Sequence, residues 1–371
     1  MRSHERRQGI MRAPRLVWDA LVRGRYAFVY DRMPMVASGM SWRKRLNLLR
    51  SGFNLLHRRV KPWSMPLHMQ FELTNYCNLR CPVCPAGTRS VRRPAAAMDV
   101  DLFRRVWDEV GPYLLTASLW AWGEPTFHPR LKEILRAARM HGVITLFSTN
   151  GQQLNHERVL EALIEEPPDY LLVALDGLTD QTNSVYRVGA RMSPILEGVR
   201  RLAEMKRRRG QSAPLLNMRF IVMRHNEHEA QEVMEFAREH EFELLSLRDV
   251  CTYVEPAHDP DVGRRLRPDR VATEPGGTFY CLHPFWFPTL FADGTVVLCE
   301  QDYNAELALG RVEGDVSFTD LWKSEKAARL RRLIRDRMSE VGFCHNCPYK
   351  DHPVSDFNSN VYVLAEGVSA Q

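Results

Sequence analysis

The chain has 371 residues, 44% apolar and 26% charged, with a formal net charge of +6. That length and balance suit a packed protein of one or two domains and exclude a disordered, collagen-like or small disulfide-bonded chain. The charge is unevenly placed: residues 1–66 hold 15 Lys/Arg against 3 Asp/Glu, so the body is mildly acidic and carries no nucleic-acid footprint spread over it.

Residues 11–60 predict helix, because Leu16, Val17, Leu21 and Val22, and later Leu46, Leu49, Phe53 and Leu56, recur at helical spacing among basic residues. This leader, 1–66, lacks the apolar run and small-residue site of a signal peptide. No segment approaches the roughly 18 consecutive apolar residues of a membrane span, so no transmembrane helix is expected. The cysteine usage set out below makes the reducing cytoplasm, where thiols stay free, the expected compartment. The leader's basic, apolar helices suit a cap on the body or a peripheral contact with an anionic membrane surface.

From residue 67 the pattern changes. Leu67, Met69, Phe71 and Leu73 alternate with His68, Gln70 and Glu72, which is a period-2 strand. Helices near 100–111, 129–140, 155–165, 192–209 and 227–240 then alternate with strands near 115–121, 143–149, 170–175, 215–223 and 243–248. Six strands, each but the last followed by a helix, predict a parallel barrel or an open α/β sheet over 67–255. Residues 249–278 are charged and aperiodic, a linker. Residues 284–299 predict a hairpin turning at Asp293-Gly294, and 317–338 a helix. The second domain is expected over 256–350, with a polar tail at 351–371.

The eight cysteines fall into a trio, a quartet and one left over. Cys77, Cys81 and Cys84 lie on the loop leaving the first strand, at the strand end where parallel barrels gather their active sites. Three thiolates on a compact loop can ligate three irons of a cubane cluster and leave the fourth iron open. A zinc knuckle short of one ligand, or three buried thiols, is the structural alternative.

The segment Thr74-Asn75-Tyr76-Cys77-Asn78-Leu79-Arg80-Cys81-Pro82, with Cys84 at the next spacing, resembles the cluster motif of the radical S-adenosylmethionine (radical SAM) superfamily. Trp122-Gly123-Glu124-Pro125 resembles that family's Gly-Gly-Glu-Pro element, with Trp122 in place of the first Gly. Ser148-Thr149-Asn150-Gly151 matches the element near the ribose, and Leu175-Asp176-Gly177 followed by Tyr186-Arg187 the fifth element, with Ala174 where many members have Ser. The resemblance implies a partial (β/α)6 TIM-type barrel. It also implies a [4Fe–4S] cluster on Cys77, Cys81 and Cys84 that binds S-adenosyl-L-methionine. Tyr76, Gly123, Glu124, Pro125, Ser148, Asn150, Asp176 and Arg187 would then surround that cofactor. By the same resemblance Glu124 holds its amino group and Arg187 its carboxylate, a pairing that suits a planar guanidinium.

Cys281 and Cys299 bracket the predicted hairpin, and Cys344 and Cys347 form a Cys-x2-Cys pair after the last helix. Such a quartet fits zinc or a four-thiolate iron–sulfur cluster. It resembles the SPASM/twitch extension of radical SAM enzymes. No cysteine follows Cys347, so the resemblance is to the shorter form with one auxiliary [4Fe–4S] cluster and no open iron.

Cys251 follows the sixth strand and reads either as a small buried hydrophobe or as a thiol donating a hydrogen atom to a substrate radical. Breaking an unactivated C–H bond is beyond protein acids and bases, so a cofactor must carry it. The family resemblance implies reductive cleavage of S-adenosylmethionine to a 5′-deoxyadenosyl radical, fed by an external electron donor such as flavodoxin or ferredoxin. Gln70, Glu72, Asn217 and Arg219 are the candidate substrate residues on the strands, with Arg248 and Asp249 behind them. The first expected substrate is a small sugar, aminoglycoside-like or polyol molecule undergoing oxidation or epimerisation. A ribosomal peptide ranks second, since the leader has no clear strand pattern. A zinc-stabilised binding protein and a pure electron-transfer module are the readings from other classes.

Overall fold

A computed structural model of the chain describes residues 15, 17–30, 33–249, 281–345, 347 and 360–365. Two short strands, β1 (Tyr26–Tyr30) and β2 (Met33–Ala37), pair antiparallel as a hairpin, and helix α1 (Trp42–Leu56) follows. The leader is therefore not wholly helical, which corrects the expectation for 1–66. Its strands escape the period-2 pattern because outward positions are apolar too: Val29 is exposed while Met33, Met35 and Ala37 are buried.

Six parallel strands follow: β3 (His68–Phe71), β4 (Thr116–Ser118), β5 (Ile144–Thr149), β6 (Tyr170–Ala174), β7 (Leu215–Val222) and β8 (Leu244–Asp249). Each pairs with the next in chain order. Between them lie α2 (Val100–Val110), α3 (Leu131–Ala138), α4 (Glu157–Glu165), α5 (Asp180–Tyr186), α6 (Met192–Arg209) and α7 (Val233–Glu239). All but α5, whose Tyr186 packs with Leu79, Cys81 and Val83, pack on one face of the sheet. α2, for instance, starts where Asp99 accepts hydrogen bonds from the Asp101 and Leu102 amides, and buries Phe103, Val106, Trp107 and Val110. The strand residues turned toward the helices, such as Phe147, Leu171 and Met218, join the same core.

The opposite face of the sheet receives the hairpin. Met33 and Met35 pack against Leu146, Leu172 and Leu244, and Asn217 donates to the Met33 sulfur at 3.2 Å. The N-terminal strands thus fill the inside of the incomplete barrel, a contact no local pattern announces.

The sheet does not stop at β3. β9 (Thr289–Leu290) runs parallel to β3 and carries β10 (Thr295–Val297) and β11 (Gly310–Arg311) beyond it. At the other edge β12 (Asn360–Val363) pairs antiparallel with β8, so part of the polar tail is structured. The helix expected over 317–338 is two helices, α8 (Phe318–Lys323) and α9 (Glu325–Arg337). Ser324 ends the first, and its Oγ accepts from the Ala327 amide to start the second. The linker 249–278 and Cys251 lie outside the described residues, apart from Asp249.

Candidate functional site

A cavity of about 490 Å³ opens at the C-terminal ends of the parallel strands, large enough for a small-molecule ligand. Cys77, Cys81 and Cys84 line it, and all three are free thiols. Burial pushes Cys77 up to about 12, with Glu124, Cys84 and Cys81 adding to the push. Burial likewise pushes Cys81 up to about 11 against the pull of Arg187. A cationic metal centre reverses the penalty that burial sets on the Cys77 and Cys81 thiolates, and N–H groups stand ready to support them. The Leu79 amide points at Cys77 Sγ from 3.5 Å, Asn150 Nδ2 from 3.7 Å, and Arg187 Nη1 lies 4.0 Å from Cys81 Sγ. The donor set therefore fits an iron–sulfur cluster held by three thiolates.

The loop after β4 is tied to the cysteine loop. The Glu124 amide donates to the Tyr76 oxygen at 2.7 Å, and a Cβ on Gly123 would sit 1.9 Å from the Thr74 oxygen. Only glycine permits that approach. Glu124 is fully buried and its carboxylate accepts from Thr126 Oγ1 and Thr149 Oγ1, both at 2.6 Å, and from the Asn150 amide at 2.7 Å. Burial raises its pKa while those hydrogen bonds oppose the rise. Glu124 thus joins the β4 loop to the end of β5 while still facing the cavity.

Arg187 reaches the cavity with its Nε on Asp176 Oδ2 at 2.5 Å. Burial works against its charge, but Asp176 and Cys81 outweigh it and the pKa stands above the ordinary value. Asp176 itself is fully buried behind Arg187, its other oxygen accepting from the Ile221 amide at 2.7 Å. It holds the arginine and does not line the cavity. Ser148 and Asn150 do line it, whereas Pro125 is buried and starts the turn after Glu124. Tyr76 is more than half exposed, stacks edge-on against Phe127 and does not line the cavity.

The expected substrate residues divide. Gln70 and Arg219 line the cavity, and Arg248 does too. Glu72 and Asn217 do not. Glu72 forms a bidentate pair with Arg93 at 2.6 and 2.7 Å, both side chains buried, and accepts from the Ala292 amide. Asn217 is enclosed between Met33 and Ser246. Both follow the period-2 alternation, but long-range partners occupy them.

Residues without a local signal complete the cavity. Tyr30 from the hairpin forms part of its lining, its hydroxyl within hydrogen-bond distance of His68 Nε2 (3.1 Å) and Ser118 Oγ (3.3 Å). Burial lowers the His68 pKa to about 3, with His283 adding to the effect, so the ring is neutral. His283, Trp286, Phe287 and Glu300 come from the C-terminal region.

The second group of thiols gathers beside that wall. Burial raises Cys299 well above its ordinary pKa, with Glu300, Cys281 and Cys347 adding to it, and Cys344 packs with Cys281. Cys281 is pushed up to about 11 by burial. The four sulfurs, none in a disulfide, again suit a thiolate-bound metal centre. Glu300 stands between the two places: its carboxylate lies 3.8 Å from Cys299 Sγ, and it also faces the cavity.

Comparison with known proteins agrees with this geometry. The family model of the radical SAM superfamily matches residues 71–237, and the SPASM model, an iron–sulfur cluster-binding domain, matches residues 281–348. A tungsten-containing aldehyde ferredoxin oxidoreductase cofactor-modifying protein of Pyrococcus furiosus is 27% identical over 46% of this chain and 47% of its own length. A PqqA peptide cyclase of Ruegeria pomeroyi is 29% identical over 47% of this chain and 44% of its own. The chain thus spans about half the length of the curated relatives it matches. The fold is similar to that of Streptococcus suis SuiB bound to S-adenosylmethionine, with a TM-score of 0.56 and 17% identity over 82% of this chain and 77% of that one. With both cysteine groups placed and both domains matched, the chain belongs to the radical SAM superfamily and carries a C-terminal SPASM domain, a membership that brings a [4Fe–4S] cluster with S-adenosylmethionine and auxiliary iron–sulfur binding.

Proposed function

We propose that this enzyme takes a hydrogen atom from a small polar molecule, a sugar, aminoglycoside-like or other polyol, and converts it by oxidation or epimerisation. The observation that carries this reading is the placement of Gln70, Arg219 and Arg248 on the same cavity as Cys77, Cys81 and Cys84. A guanidinium offers a fork of donors and an amide both donors and an acceptor, a set that orients hydroxyls and anionic groups. When bound, the cluster and S-adenosylmethionine supply a 5′-deoxyadenosyl radical as the hydrogen-abstracting agent. The protein's own part is to hold the substrate and keep other hydrogen donors away. Trp286 and Phe287 wall the cavity on the side of the C-terminal domain, and the hairpin closes it from within.

Oxidation of a hydroxyl also needs a proton acceptor. The Glu300 carboxylate faces the cavity and is suited to it. Cys281, Cys299, Cys344 and Cys347 hold one auxiliary [4Fe–4S] cluster in this reading, and four protein ligands make it an electron acceptor, not a substrate ligand. The electron that starts each turnover comes from a flavodoxin or ferredoxin. Cys251 as hydrogen donor belongs to the epimerisation outcome.

A peptide substrate is the second reading. The lack of strands in the leader, which ranked it second, does not hold, because β1 and β2 form a two-stranded sheet of their own among the described residues. An open strand edge can take an extended peptide as a further strand, and one relative is a peptide cyclase. The deciding experiment is anaerobic turnover with deuterium-labelled polyol extracts and, separately, labelled peptides. Deuterium in 5′-deoxyadenosine from the polyol pool alone supports the first reading. Deuterium only from peptide overturns it.

A further inference from the structure

Helix α1 is inside out. Its buried side chains are polar, Lys44, Asn47, Ser51 and Asn54, while Trp42, Leu49, Phe53 and Leu56 face solvent. Trp42 is 68% exposed and Leu56 78%. A helix packed only to stabilise its own domain buries the opposite stripe.

The orientation is specified, because three of the four buried polar side chains, all but Ser51, find partners. Lys44 Nζ donates to the Gly142 oxygen at 2.7 Å. Asn47 Nδ2 donates to the Met65 and Tyr113 oxygens, both at 3.2 Å, and Asn54 Nδ2 to Ser64 Oγ at 2.7 Å. Turning the helix over would leave these groups without partners.

The apolar stripe continues past the helix. Trp63 stacks on Phe53 with ring centres 5.0 Å apart, and the Arg59 guanidinium lies over Trp63 at 4.0 Å. Near the start of α1, Arg45 Nη1 bonds the main chain of Leu21 and Val22, which brings exposed Val22 to the same end. The segment that carries the stripe is basic: residues 32–71 contain 8 Lys/Arg and no Asp/Glu, and of these Lys61 pairs with Glu325.

We propose that this face docks on the surface of an anionic lipid bilayer, with the Trp42, Leu49, Phe53 and Leu56 stripe in the headgroup region and the flanking arginines on lipid phosphates. Indole rings and arginines side by side on a convex helix face match the membrane–water interface, where one side of each group is apolar and the other wet. An acid-free basic segment adds attraction to an anionic leaflet. Among the described residues no helix is long and apolar enough to cross a membrane, so the contact is peripheral.

The test is sedimentation of the full chain with vesicles of phosphatidylcholine, with and without phosphatidylglycerol. Binding should be at least about tenfold tighter with phosphatidylglycerol and should weaken as salt is raised. Leu56→Glu and Trp42→Glu should each lose about tenfold in that binding while the thermal midpoint stays unchanged, since both side chains are exposed. Equal binding to the two vesicle types, or variants that bind like the wild type, overturns the proposal. So does a wild-type mass that doubles with concentration in light scattering and reverts to monomer in Leu56→Glu, which would assign the face to a second copy of this chain.

Discussion

The indole Nε1 of Trp122 donates to the main-chain oxygen of Glu300 at 2.8 Å. Trp122 stands at the first position of the element that most family members fill with glycine, and here its ring packs with Cys84, Phe291 and Val297. One side chain therefore connects the loop of the first cysteine group to the residue beside Cys299. Trp122→Phe should keep most of the packing and cost about 1 kcal/mol through the lost hydrogen bond. Trp122→Gly should cost about 3 kcal/mol or more by opening a cavity. Denaturant titration of both variants measures the difference, and a glycine variant as stable as wild type would count against the linkage.

The pair Arg93–Glu72 offers a test that separates structure from substrate. Both side chains are buried, Arg93 also donates to the Tyr303 oxygen at 2.7 Å, and its guanidinium lies 3.6 Å from the Phe291 ring centre. Glu72→Gln should destabilise the fold by about 3 kcal/mol or more, because a buried charge loses its partner. Its KM for substrate should not change at temperatures where the variant is folded. A large KM effect at unchanged stability would return Glu72 to the substrate side.

Asp176 acts through Arg187. Asp176→Asn removes the charge that keeps the guanidinium aimed at the cavity, and S-adenosylmethionine binding should weaken by about 10- to 100-fold, as partners of this kind typically do. Arg187→Lys should weaken it as well, since an ammonium cannot reproduce the fork. Equilibrium binding of S-adenosylmethionine to reconstituted protein reads both, and unchanged affinity in both would remove Arg187 from the cofactor site.

The two groups of thiols should bind iron independently. Cys81→Ala and Cys344→Ala should each lower the iron content after anaerobic reconstitution, and the double variant should bring it close to background. A Cys344→Ala protein with wild-type iron would argue against the second cluster.

His68 sets a pH dependence. Its folded pKa of about 3 lies below the ordinary 6.5, so between those values the unfolded chain binds the extra proton. Its contribution is fully present above 6.5 and is lost as pH falls toward 3, by up to about 1.4 kcal/mol per pH unit. Wild type should therefore lose stability faster than His68→Asn between pH 6.5 and 5. Parallel curves for the two proteins would contradict this.

The parallel sheet and the cysteine groups were legible in the sequence because their signals are local. A period of two changing to one of about 3.6 marks each βα unit, and Cys77, Cys81 and Cys84 declare themselves by spacing. The rest depends on pairs far apart in the chain. Trp122 and Glu300 are 178 residues apart, and Tyr30 reaches Ser118 across 88. The hairpin was hidden because both of its faces carry apolar side chains, one toward the barrel and one toward water. Glu72 followed the alternation that signals a site-facing residue, but Arg93, which neutralises it, lies in an irregular stretch with no pattern to read.

β9 is hydrogen-bonded in parallel to β3, so the domain bearing the auxiliary thiols is sewn into the catalytic sheet. It cannot be treated as a detachable module. Cutting the chain before residue 281 would strip β3 of its neighbour and leave a raw strand edge, an invitation to aggregate. The two cysteine groups are thus carried by one continuous hydrogen-bonded framework, and any motion of one relative to the other must bend that sheet. Evolution can alter the loops above it, but swapping the C-terminal domain for another would require a replacement strand that fits the same edge.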